Sequence, residues 1–196
     1  MIFRSVEDGD LIRQAQAPSG PAGGSKAVEA FNLLVSRWEK RIYNYLLRLT
    51  ANRDDALDLT QEVLLKAYQN LRHLDDPGRF GPWLYRIAHN EAYSMFRKRK
   101  PQADPETAAP EKSGVSITVG GSSVFPVELS LAVGAALGRL SPEQREAVVL
   151  KIYQGFKFEE MSEILSCPVS TVKSRLYSAL ELLKIELAPI GTRGVS

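Results

Sequence analysis

The chain is poor in the residues that build covalent or metal-bound frameworks. Among its 196 residues are one cysteine, Cys167, and two histidines, His73 and His89. Neither a disulfide framework nor a Cys/His metal site can be assembled from them. The same scarcity argues against an enzyme, because no clustered His, Cys or acid constellation offers a base, a nucleophile or a metal. No cofactor is implied. Long apolar runs are missing too: the longest span only a few residues, as from Ala147 to Leu150, and the opening MIFRSVEDGD has no apolar signal core. No membrane insertion and no export signal are therefore expected, and a reducing cytoplasm is the expected location.

What is present fits a globular protein. The hydrophobic share is 44%, enough for one ordinary domain or two small ones. The net charge of +2 hides an uneven distribution. From Lys26 to Lys100 there are fourteen Lys/Arg against nine Asp/Glu, whereas residues 101–138 carry one Lys against four acids. Basic character is thus concentrated in the first half, a footprint suited to nucleic acid.

Within that half, a helix through WLYRIAHNEAYSMFRKRK (Trp83 to Lys100) would align Arg86, Asn90, Tyr93, Arg97 and Lys100, at spacings of about four and three. Cations grip phosphates, an amide hydrogen-bonds an unpaired base, and an aromatic ring stacks on its face. The plainer alternative is a charged, solvated helix end. Leu84, Ile87, Ala88 and Met95 form the side expected to be buried.

Upstream, Glu7 to Gln16 suits a short helix, and APSGPAGGS then reads as a flexible insert. Phe31, Leu34, Val35, Trp38, Ile42, Leu46 and Leu49 recur at helical spacing and predict a core helix ending near Ala51 and Asn52. A second helix, Asp54 to Leu71, is expected to bury Leu57, Leu64, Tyr68 and Leu71. Off that face, Asp54, Asp58, Gln61 and Leu65 fall in one line with Glu62 beside them, a stripe suited to a basic helical partner. Leu59 and Val63 are expected to add apolar surface there. The alternative is that Asp54 and Asp55 merely favour the helix N-terminus and the rest is solvated. His73 to Pro82 then carries turn residues that deliver the chain to Trp83.

The run from Pro101 is rich in Pro, Gly, Ser, Thr and Ala and reads as a linker, with SITV as a lone strand candidate that lacks a partner. Helical periodicity resumes at Glu128. Ser141, Pro142 and Gln144 form a capping-box signature, and Gly155 should end the helix it opens. FEEMSEIL, the break SCP at Ser166 to Pro168, and VSTVKSRLYSALELL then make a helix-turn-helix pattern. In its second helix Val172, Leu176, Ala179, Leu180 and Leu183 cluster on one side. Ser170, Thr171, Ser174 and Ser178, with Lys173 and Arg175, are the candidates for a DNA-facing side: short hydroxyls permit close approach, and cations reach phosphates or guanine edges. Helical hairpins without a DNA role also exist.

Taken together, the two halves resemble a bacterial RNA polymerase sigma factor of the extracytoplasmic-function group. DALDLTQEVLLKAYQNL is similar to the family's polymerase-docking segment, and FGPWLYRIAHNEAYSMFRKRK to its promoter-opening segment. LSPEQREAVVLKIYQGFKFEEMSEILSCPVSTVKSRLYSAL is similar to region four. The resemblance implies an all-α chain of two small helical domains joined by a flexible linker. Its divisions are an N-terminal segment 1–25, a region-two-like domain 26–100, a linker 101–127, a region-four-like domain 128–187 and a tail 188–196. Core RNA polymerase would be bound through Asp58, Gln61, Glu62 and Leu65. The minus-ten promoter element would be read by the Asn90 row, and the minus-thirty-five element by the last helix. Partners would be core polymerase and promoter DNA, with an anti-sigma factor left open as a third. Such a linker predicts no fixed orientation between the domains in the free chain.

Three positions depart from the family pattern. Ser94 stands for the usual Asp, Ser166 for the usual turn Gly, and Lys157 where a Ser or Thr would cap FEEMSEIL. An operator-binding repressor or activator acting without core polymerase is the alternative function, but it leaves the α-helical stripe around Gln61 and the Tyr93 row idle.

Overall fold

The computed structural model describes residues 7–17, 23–99 and 127–191, and every α-helix among them packs on another. The helices are α1 (Asp8–Ala15), α2 (Gly23–Thr50), α3 (Arg53–Asn70) and α4 (Phe80–Arg99) in the first half. The second half holds α5 (Val127–Gly138), α6 (Pro142–Val148), α7 (Phe158–Ile164) and α8 (Val169–Gly191). No strand occurs among the described residues. The proposed linker and its SITV run, most of the N-terminal insert, Lys100 and the end of the tail lie outside them. Of the insert, Gly23 to Ser25 already belongs to α2.

α2 is the axis of the first half. Phe31, Leu34, Ile42, Leu46 and Leu49 are buried as their spacing predicts, Val35 and Trp38 pack at the margin, and Tyr45 is buried on the same stripe. α1 belongs to this unit: Leu11 and Ile12 enter the core, and the Gln16 amide donates to the carbonyls of Leu71 and Leu74 at 2.9 and 2.7 Å. Asp8 accepts from Arg37 Nη1 at 2.6 Å and from the Trp38 indole at 2.9 Å.

α3 corrects the expected face. Its buried side is Ala56, Leu59, Thr60, Val63 and Ala67, whereas Leu57, Leu65 and Tyr68 are about half exposed and Leu64 is intermediate. Only Leu71 of the predicted stripe is buried. The physical reason is residue size: small side chains let α3 nest between α2 and α4, and the Thr60 hydroxyl is satisfied by the Ala56 carbonyl at 2.6 Å. Asn52 caps this helix, accepting from the backbone N–H groups of Asp54 and Asp55 at 2.9 and 3.1 Å.

In the second half the capping box forms as predicted. Ser141 Oγ accepts from Gln144 N–H at 3.2 Å, and Gln144 Oε1 accepts from Ser141 N–H at 3.1 Å. α6 does not run to Gly155 in one form. It widens into a π-turn over Val149–Tyr153, with Gln154 N–H bonded to the Val149 carbonyl, before Gly155 turns the chain at φ +75°. Leu180 departs from the predicted cluster on α8 and is exposed, while Val172, Leu176 and Ala179 are buried against α6 and α7.

The two halves also touch one another. α6, the π-turn and α7 pack on α2 and α4, so one continuous core runs through both. The ring of Phe156 lies edge-on to Tyr85, at 4.9 Å between centroids, and the Arg48 guanidinium sits over Tyr153 at 4.2 Å.

Candidate nucleic-acid and partner interfaces

The α4 row is built by a helix whose other face is locked. Phe80, Leu84, Tyr85, Ala88 and Ala92 are buried, which fixes the rotation of α4 and turns Arg86, Asn90 and Arg97 to solvent. Ile87 and Met95, expected on the buried side, pack at its edge. Tyr93 is not presented like the others. It is half-buried, tilted against His89 with 4.4 Å between ring centroids and edge-on to Phe96 at 5.7 Å. Burial, with the Glu146 carboxylate nearby, holds its phenol well above the usual tyrosine range. At the end of α4, Arg99 makes a two-pronged ion pair with Asp55 at 2.5 and 2.6 Å, tying α4 to the start of α3, and Arg97 and Lys98 beside it are exposed.

On α3, Asp58, Gln61, Glu62 and Leu65 are all exposed in one line. The apolar surface expected beside them exists but is made by other residues. Leu59 and Val63 are in the core, and Leu57, Leu65 and Tyr68 stand outside, with the Tyr68 ring edge-on to Phe31 at 5.0 Å. Lys66 bridges Glu62 at 3.3 Å and Glu91 of α4 at 2.7 Å, and the Glu91 hydrogen bond raises its pKa above the ordinary lysine value. Acids, an amide and apolar side chains thus form a surface that can take a basic, amphipathic helix.

On α8, Ser170, Lys173, Ser174 and Ser178 are exposed and Thr171 and Arg175 are intermediate. Val172, Leu176 and Ala179 anchor the opposite face. Lys173 Nζ lies 5.3 Å from the Phe158 ring centre, and Arg175 Nη1 approaches Cys167 Sγ at 3.8 Å. The turn before α8 has the strain its sequence suggests: Ser166 holds φ +50° where glycine is easier. Lys157 has no side-chain acceptor to cap α7, yet its own N–H is taken by Glu160 Oε2 at 2.7 Å, half of a capping box.

Sequence reasoning missed the group that joins these surfaces. Glu146 on α6 is 1% exposed, accepts the Tyr45 hydroxyl of α2, and lies 2.8 Å from His89 Nδ1 on α4. The available signal was an acid set directly before the apolar run AVVL. Further bonds cross between the halves: Tyr85 OH donates to Gln154 Oε1 at 2.6 Å, Arg145 Nη1 to the Leu49 carbonyl at 3.3 Å, and Arg79 pairs with Glu163.

None of these surfaces converges on a reactive centre. No group of three or more metal-binding side chains occurs among the described residues, and no described helix is long and apolar enough to cross a membrane.

Comparison with known proteins agrees with the division into halves. The family model for sigma-70 region 2 matches residues 34–102, and that for sigma-70 region 4 matches residues 130–183. The ECF RNA polymerase sigma-E factor of Haemophilus influenzae is 31% identical over 170 residues, covering 83% of this chain and 89% of its own. The ECF RNA polymerase sigma factor SigW of Bacillus subtilis is 32% identical over 167 residues, covering 81% and 89%. The sigma factor RpoE of Bartonella quintana, solved in complex with the anti-sigma factor NepR, superposes with a TM-score of 0.63 at 27% identity, over 81% of this chain and 96% of that one. The chain belongs to the extracytoplasmic-function group of RNA polymerase sigma factors, non-enzymatic transcription initiation factors that bind core polymerase and promoter DNA.

Proposed function

We propose that three rows of side chains divide the work of initiation between them. Asp58, Gln61, Glu62 and Leu65 on α3, with Leu57 and Tyr68 beside them, dock on core polymerase. Arg86, Asn90, Tyr93, Arg97 and Lys100 capture the minus-ten strand. Ser170, Thr171, Lys173, Ser174, Arg175 and Ser178 read the minus-thirty-five element. The reading is supported by one observation: on α3, α4 and α8 alike, one face is buried, and Asp58, Gln61, Glu62 and Leu65, then Arg86, Asn90 and Arg97, then Ser170, Lys173, Ser174 and Ser178 are left exposed. No bond is made or broken by this chain. Binding energy is used to hold an unstacked base and a separated strand, which costs about a few kcal/mol to produce.

The setting that follows is the bacterial cytoplasm, where core polymerase and promoter DNA reside. Because the Bartonella relative was solved with an anti-sigma factor, we assign that class as a third partner of this chain.

The test separates two steps. Gln61→Ala with Glu62→Ala leaves the fold intact, since both are exposed, and lowers affinity for purified core enzyme. Asn90→Ala with Arg97→Ala leaves core binding near normal and reduces permanganate reactivity of promoter thymines on duplex template, with partial relief on a pre-melted one. Duplex opening at the wild-type level by the Asn90 and Arg97 double variant would refute the α4 assignment.

A further inference from the structure

None of the three rows includes α1, yet α1 holds both ends of the segment that leads into the α4 row. That segment, residues 71–82, contains two short three-ten turns, Leu71–His73 and Pro77–Arg79. It buries Leu71, Leu74, Phe80 and Gly81, whereas Arg72, His73, Asp75, Asp76, Gly78 and Arg79 are exposed. Turns this short have few bonds of their own, so their place depends on what they are tied to.

At the first end Gln16, just past α1, donates both amide hydrogens, to the Leu71 carbonyl at 2.9 Å and the Leu74 carbonyl at 2.7 Å. These carbonyls bracket the first turn, which also closes through Leu74 N–H on the Leu71 carbonyl at 3.1 Å. At the other end Gly9 of α1 lies against Pro77, where an added methyl would stand 3.9 Å from the ring carbon Cβ. Asp8 takes the Trp38 indole N–H at 2.9 Å. That indole lies edge-on to Phe80, at 5.4 Å between centroids, and so near Gly81 that a methyl there would come to 3.1 Å from it.

Covering the core does not require the Gln16 bonds. Leu11 and Ile12, at 1% and 0% exposure, are what α1 contributes to the core. Gln16 adds direction instead: two hydrogen bonds fix the distance and angle of a backbone segment, which a hydrophobic contact does not. What Gln16 holds is one wall of a cleft. His73, Leu74, Asp75 and Asp76 line it together with Trp83 and Arg86, the last being the first cation of the α4 row. Groups that discriminate between ligands must be held to within about 0.5 Å by the bonds behind them.

We infer that α1 is a positioning element for promoter reading and that Gln16 is its positioning residue. By fixing the Leu71 and Leu74 carbonyls, Gln16 sets where residues 72–79 stand beside the α4 row, and so how sharply bases of the minus-ten strand are told apart. The inference rests on the assignment of the α4 row to the minus-ten element.

Its test uses the full chain with purified core enzyme, in run-off transcription from two promoter pools, one randomised over the minus-ten element and one over the minus-thirty-five element. Sequencing the transcripts gives the preference for the most favoured over the least favoured base at each position. Gln16→Met, which keeps the length of the side chain but has no donor, should lower the minus-ten preferences by about threefold or more. It should leave the minus-thirty-five preferences and the affinity for core enzyme within about twofold of wild type, and should speed amide hydrogen exchange over residues 72–79. Ile12→Val, which thins the core beneath the same helix, should lower the thermal midpoint and leave both sets of preferences unchanged. Should Gln16→Met fail to fold, Gln16→Asn, whose amide is too short to reach both carbonyls, decides. Wild-type minus-ten preferences in the Gln16 variant overturn the inference, as do preferences that flatten equally at both elements or equally in Ile12→Val. The assignment beneath it is checked separately: minus-ten preferences untouched by Asn90→Ala with Arg97→Ala would refute that assignment.

Discussion

Replacing Ser166 by glycine should stabilise the protein. Ser166 sits between α7 and α8 at φ +50°, is exposed, and its hydroxyl makes no hydrogen bond. The turn is held from other atoms: Cys167 N–H bonds the Ser162 carbonyl at 3.2 Å, and Ser162 Oγ donates to the Cys167 carbonyl at 2.6 Å. A left-handed conformation costs an L-residue about 1–2 kcal/mol, which glycine avoids. Against this, glycine gives the unfolded chain extra freedom worth about 0.4–1 kcal/mol. The balance favours Ser166→Gly by about 0.5–1 kcal/mol. The converse change, Gly155→Ala at φ +75°, meets open space around the new methyl, so backbone strain alone should destabilise it by about 1 kcal/mol. Thermal unfolding by circular dichroism reads both. If the halves melt as one unit, 1 kcal/mol moves the midpoint by about 2–4 °C, and if the second half melts alone, by about 4–8 °C. A lowered midpoint for Ser166→Gly, with Gly155→Ala neutral, would refute the strain argument.

Ala51, at φ +54° between α2 and α3, predicts a gain of similar size for Ala51→Gly, read by the same thermal unfolding. Arg175→Ala should weaken binding of a minus-thirty-five duplex by the holoenzyme by about 1–3 kcal/mol if it makes a bidentate base contact, read by fluorescence titration. Leu176→Ala, in the core beneath it, should instead destabilise the fold by about 2–5 kcal/mol in denaturant unfolding. The phenols of Tyr45, Tyr85 and Tyr93 are all held above the usual value near 10, first by burial. Their folded pKa exceeds the unfolded one, so the stability they contribute is complete below about pH 10 and falls as pH rises toward the folded values. Absorbance titration at alkaline pH should show these three of the seven tyrosines ionising only as the helices melt.

How far the sequence could be read depended on what each helix packs against. α2 carries large apolar residues on one stripe and polar ones elsewhere, so its periodicity identified the buried face, from Phe31 to Leu49. α3 carries large apolar residues on two faces. The face that the fold buries is the one lined with Ala56, Thr60 and Ala67, because close approach to α2 and α4 rewards small side chains there. Periodicity of large residues therefore selected Leu57 and Tyr68, which are exposed. The rows Asp58 to Leu65 and Arg86 to Arg97 were legible because charge and amide groups marked them directly. The contact between the halves was not: Tyr45 and Glu146 are 101 positions apart, and neither lies in a pattern that names the other. A Pro- and Gly-rich run between two helical halves carries no information on whether they dock.

The π-turn over Val149–Tyr153 also bears on how the length of this chain can vary. Gln154 N–H reaches five residues back, to Val149, so this turn holds one residue more than an α-turn requires. Removing one residue there would let the turn relax to ordinary α geometry while Gln154 and Phe156 kept their facing toward Tyr85. Removing one from α6 ahead of it would rotate everything downstream by about 100° and turn both away. Single-residue deletions should therefore be tolerated at this bulge and rejected a turn earlier, which makes it the point in the second half where related chains can differ by one residue and still close.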